Sequence, residues 1–150
     1  MKVFEDYFSE LQTDMVAICL EYVDNKADEI FIYCSYEPKM YVFDFFYRIN
    51  GEIVHKHKLN ELELSNQPNH IYDVSRDRQK AALKIGTENL KLIHKKCEEF
   101  NKEMPTEMKL HYNVKDNSLK AKYKYDLVYS VNEELLPDDI FDSWFEEVLG

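Results

Sequence analysis

Hydrophobic side chains along this chain recur with two different periods, and each change of period marks an element. In the first 23 residues Phe4, Phe8, Leu11, Met15, Ile18 and Tyr22 return every three or four positions, the stripe of an amphipathic helix lying on a core. Asp24-Asn25 breaks that stripe. Residues Glu29–Tyr36 and Met40–Ile49 are rich in β-branched and aromatic side chains, which suit a pleated surface, with Glu37-Pro38 as the turn between them. Asn50-Gly51 is a strong hairpin signal because both turn positions need φ > 0. Glu52–His57 is then the returning strand of a three-stranded antiparallel meander.

Residues 60–72 carry turn chemistry without a sustained period and read as a loop. Asp73 or Ser75 suits the cap of a following helix. Within it Leu83, Gly86, Leu90, Ile93, Cys97 and Phe100 alternate steps of three and four, a seam turned to the core. Lys84, Lys91, Lys95 and Lys96 fall on solvated faces, and the helix stops near Asn101, ahead of Met104-Pro105. Thr106–Val114 and Ser118–Tyr129 alternate apolar and polar positions, predicting two strands with one buried and one wet face, joined at Asp116-Asn117. A short helix over 137–149 closes the chain, with Pro137 in a first turn that has no use for its missing N–H. Its stripe is Ile140, Phe141, Trp144, Phe145 and Val148. The expected order is α-βββ-α-ββ-α, a single α+β domain over 1–150 with helices packed as one layer on a mainly antiparallel sheet.

Composition narrows the chemistry. A length of 150 residues suits one domain with a core of its own. Only three glycines are present, which argues against a glycine-rich phosphate cradle. Cys19, Cys34 and Cys97 are odd in number and far apart, with no CxxC pair, so reduced thiols in a cytoplasmic protein are the simplest reading. The N-terminus has no basic stretch leading into an apolar run, and the longest apolar stretch, Met15–Leu20, is far too short to span a bilayer. Neither a signal peptide nor a membrane partner is expected.

The net charge of −10 is unevenly spread. Residues 1–37 carry nine acids and two lysines, 38–125 twelve acids and seventeen bases, and 126–150 eight acids and no base. Acidic ends repel nucleic-acid phosphates and attract basic partners. Lys120, Lys122 and Lys124 form a basic row, near Lys109 and Lys115 if the last two strands pair. A solvated face or a lysine-guarded sheet edge explains that row better than nucleic-acid binding.

Candidate catalytic groups are sparse. His55 and His57 lie two apart on a strand and so share a face, but between Lys56 and Lys58 they read as a solvated strand end before a metal pair. His70, His94 and His111 stand alone. Cys97 falls on a buried seam and reads as a core thiol. Asp138, Asp139 and Asp142 lack the glycine and loop of a calcium-binding hand, and the helix dipole accounts for the first two. No GxSxG, Walker-type or GxGxxG run occurs. The expectation is no catalytic residue, no metal and no cofactor. Binding to another protein is the function left, with Asp138, Asp139, Asp142, Glu146 and Glu147 as the partner-facing residues and Trp144 packed on the sheet.

The run EMPTEMKLHYNVKDNSLKAKYKYDLVYS followed by LLPDDIFDSWFEEV resembles the YezG-like immunity proteins, the antitoxin family that includes EsaG-type nuclease inhibitors. The meander YCSYEPKMYVFDFFYRING takes the place of that family's early hairpins. The only tryptophan, on the last helix, and the segment 55–75 depart from the family pattern. The resemblance implies a cytoplasmic α+β protein that binds and occludes a cognate toxin, commonly a basic nuclease domain. A non-catalytic module with a non-toxin partner, an enzyme or metal protein built on His55 and His57, and a homodimer remain open beside it.

Overall fold

The computed structural model describes residues 2–37, 39–62, 70–130 and 135–150. Its elements are α1 (Phe4–Tyr22), β1 (Glu29–Tyr36), β2 (Tyr41–Ile49), β3 (Glu52–His55), α2 (Arg76–Glu99), β4 (Glu107–Asn113), β5 (Ser118–Lys124) and α3 (Pro137–Leu149). This is the order the periodicity predicts. All strand pairs are antiparallel, in the spatial order β3-β2-β1-β4-β5.

β1 lies at the centre, and six of its eight residues are buried because both of its faces are covered. On the inner face Ile30, Ile32 and Cys34 of β1, Phe43, Phe45 and Tyr47 of β2, and Met108 and Leu110 of β4 meet Met15, Val16 and Cys19 of α1 and Ala82, Leu90, Ile93 and Cys97 of α2. On the outer face Phe31, Tyr33 and Phe46 meet Phe141, Trp144 and Phe145 of α3. The expected single helical layer is therefore two layers, one on each side of the sheet. β1 and β2 place apolar residues at both parities, so neither face can be left wet.

Local chemistry explains the joints. Asn50 and Gly51 take φ of +51° and +83°, the left-handed pair that a tight hairpin needs. Asp24 and Asn25, at +54° and +63°, end α1 in the same way. The Ser75 hydroxyl accepts the Arg78 amide at 3.2 Å and caps α2. Gly86 lets α2 lie directly on Phe43, whose ring would stand 2.1 Å from any added Cβ.

Three expectations need correction. β5 ends at Lys124, not Tyr129, because backbone partners change there. The Thr106 hydroxyl donates to the Lys124 and Asp126 carbonyls, at 3.1 and 2.6 Å. The Glu37 carboxylate then accepts the amides of Val128, Tyr129 and Ser130, drawing the chain across the sheet end. The inward side chains of β5 are also only half covered, with Leu119 and Tyr123 exposed at 36% and 37% on an edge strand. Lys56 is buried, not solvated, and its Nζ lies 2.7 Å from Asp44 Oδ1.

Of the predicted loop over 60–72, residues 63–69 lie outside the described residues, as does Pro38 of the Glu37-Pro38 turn. The flanks of that loop are structured. Leu59–Glu61 is a 3-10 turn with Leu59 in the core, and Asn60 exchanges two hydrogen bonds with the Tyr72 backbone.

Candidate interaction surface

α3 is 13 residues long, too short to be stable alone in water. It is held by aromatic contacts with the sheet. Phe46 stacks on Phe31 at 4.7 Å between ring centroids and meets Phe141, Trp144 and Phe145 edge-on at 5.7, 5.2 and 5.1 Å. Such pairs each add about 0.5–1.5 kcal/mol beyond area burial. Trp144 is thus a packing residue, as expected.

Apart from Leu149 at its last position, which is exposed, α3 turns acidic or small residues outward. Asp138, Asp139, Asp142, Glu146 and Glu147 are all exposed, and the helix carries no base. These five carboxylates do not stand on equal terms. Asp139 Oδ2 accepts the Leu136 amide at 2.8 Å and closes the helix start, and Asp138 shares the favourable end of the helix dipole. Asp142 and Glu146, by contrast, form a like-charge i,i+4 pair, and Glu146 and Glu147 sit at the end where the dipole disfavours anions. Among the described residues none of these three has a cation within salt-bridge distance.

A basic groove runs beside this acidic ridge. It encloses about 470 Å³ between α3 and the β4–β5 half of the outer face. Its lining includes Phe31, Arg48, Lys109, His111, Lys120 and Lys122 on the sheet, with Trp144 and Glu147 on the helix. The register sets Lys109 opposite Lys122 and His111 opposite Lys120, so side chains of one parity stand together. Lys109 Nζ lies 5.6 Å above the Trp144 ring and 3.8 Å from Glu107. Glu29 takes both Arg48 and His111, the latter at 2.6 Å. The basic row was visible in the sequence. The contribution of Arg48 and Phe31 was missed, because it depends on sheet order, although their strand parity carries the signal.

The histidines are spread through the structure in separate roles. His55 forms a wedge under α3, its ring stacked on Phe145 at 3.7 Å, so it is not the solvated strand end expected. Burial, and after it the neighbouring His57, hold its imidazole below the usual histidine range. His70 pairs with Asp24 at 3.0 Å, and His94 with the Tyr41 hydroxyl at 2.6 Å. Among the described residues no three His, Cys, Asp or Glu side chains come together in a way that could hold a metal ion. Cys19, Cys34 and Cys97 are free and buried, and burial pushes each thiol above its ordinary pKa. Among the described residues no helix is long and apolar enough to cross a membrane.

Comparison with protein-family models finds no match, and comparison with curated proteins finds none either.

Proposed function

We propose that this chain is a cytoplasmic immunity protein that binds and neutralises a toxin protein by occlusion. The observation that carries this reading is the outer face of α3. Asp142, Glu146 and Glu147 weaken the helix that bears them, by about 0.2–0.5 kcal/mol for a like-charge pair and a similar amount for each misplaced end charge. Charges that cost a helix stability and, among the described residues, have no cation within salt-bridge distance are suited to an external partner. A rigid sheet and an aromatic seam hold them in place, so the face arrives at a partner already ordered.

A basic partner fits this face, as a nuclease domain with a cationic active site would. Negative potential steers such a domain in and then covers its site, and no reacting group is required of the inhibitor. The resemblance of Glu103–Ser130 and Leu135–Val148 to YezG-like immunity proteins points the same way. The test is co-expression with a candidate nuclease toxin, scored by growth. Rescue by the parent chain, lost when Asp142 and Glu146 are both changed to Lys, supports the reading. Equal rescue by parent and variant removes the acidic face from it, and no rescue by either removes the toxin.

A further inference from the structure

The two faces of the sheet are unequally covered. Strands lie about 4.8 Å apart and a helix with its side chains is about 10 Å wide, so a five-stranded sheet has room for two helices. The inner face carries two. Among the described residues the outer face carries α3 alone, over β1, β2 and β3. The other half is a shelf of lysines, with Lys109 on β4 and Lys120, Lys122 and Lys124 on β5. Lys109 and Lys124 each approach Glu107, at 3.8 and 3.9 Å. Among the described residues Lys120 and Lys122 have no carboxylate within salt-bridge distance.

We infer that this shelf receives the acidic crest of α3 from a second copy of the chain, in a twofold pair. A ridge lying beside a shelf of opposite charge is self-complementary under twofold rotation, since each copy offers one and accepts the other. Asp142, Glu146 and Glu147 of each copy then meet Lys109, Lys120 and Lys122 of its mate, and both outer faces gain the second helix they lack. A nucleic acid fits less well. The Trp144 and Phe31 rings in the groove are only 9% and 3% exposed and offer no face for a base to stack on. The last 25 residues, which include α3 at the rim, carry eight acids and no base.

This inference does not rest on the immunity reading, and its test needs the purified chain alone. Sedimentation equilibrium over a range of concentrations gives the dimer constant for three proteins. One is the parent, the second Lys120→Glu/Lys122→Glu, and the third Asp142→Lys/Glu146→Lys. All four positions are exposed, and circular dichroism verifies that the variants keep the fold. The parent dimerises, and each variant alone is weakened at least about tenfold by the like charges it brings together. Mixing the two variants restores a one-to-one heterodimer. The acidic crest of the lysine-reversed variant meets the basic shelf of the other, and the reversed, basic crest of that other meets the reversed, acidic shelf of the first. A parent that stays monomeric throughout overturns the inference. So does a dimer untouched by reversal of the lysines, or a pair of variants that fails to associate on mixing. Retention of a labelled oligonucleotide or a polyglutamate chain by a monomeric parent would assign the shelf to that ligand instead.

Discussion

Glu37 shows how one side chain can redirect a strand. It is buried, and its carboxylate holds three successive amides and the Ser130 hydroxyl while its own carbonyl accepts the Tyr129 hydroxyl at 2.8 Å. Glu37→Ala leaves those donors short of a partner, with an expected loss of about 3 kcal/mol in urea unfolding. Glu37→Gln keeps one acceptor oxygen and costs less. Gly86 is a second position where a single atom matters. Alanine is the better helix former by about 1 kcal/mol, yet here its Cβ would collide with the buried Phe43 ring. Gly86→Ala is expected to lower stability by about 1–3 kcal/mol, as overpacking does, and Phe43→Leu in the same chain should recover part of the loss. Thermal melts of the two single variants and the double variant measure both effects.

At the level of elements, α3 is the part whose existence depends most on its surroundings. Its docking is expected to respond to pH through His55. Burial and His57 lower the His55 pKa, Asp142 and Asp44 oppose this less strongly, and Lys56 adds to the lowering. Above about pH 6.5 the ring is neutral in both folded and unfolded chains, and nothing is lost. As pH falls through that value the unfolded chain takes up the proton first, so stability drops until the depressed folded-state pKa is passed. Fluorescence of Trp144, the single tryptophan, followed through thermal unfolding between about pH 7.5 and pH 5 reads this directly. His55→Phe is expected to flatten the pH slope relative to the parent, and an unchanged slope would place the titration elsewhere. The elements themselves were largely legible in the sequence. The stripe of α3, the Asn50-Gly51 hairpin and the α2 seam all depend on neighbours within a few residues, which periodicity reads well. The early end of β5, the burial of Lys56 and the wedge position of His55 depend on Glu37, Asp44 and Phe145, which approach from distant parts of the chain. No local pattern encodes those meetings. The acidic candidates were legible as an exposed face, but their inequality appeared only once Asp139 was seen closing the helix start.

The molecule as a whole is a sheet whose inner side is covered by two helices, except along β5, and whose outer side is charged. On that outer side an acidic ridge and a basic shelf lie next to each other, so the proposed basic partner and the proposed second copy call on the same ridge. Under both proposals, pairing shields the carboxylates until the partner displaces the mate. The central claim is that the unpaired carboxylates of α3 serve binding and not folding. Its most direct test is titration calorimetry of the toxin domain with the parent and with Asp142→Lys/Glu146→Lys, at low and high salt, alongside the melting temperature of each. The account predicts a tight, salt-weakened complex for the parent, and for the variant a loss of affinity of tenfold or more with equal or higher thermal stability. Unchanged affinity and unchanged salt dependence in the variant would contradict it.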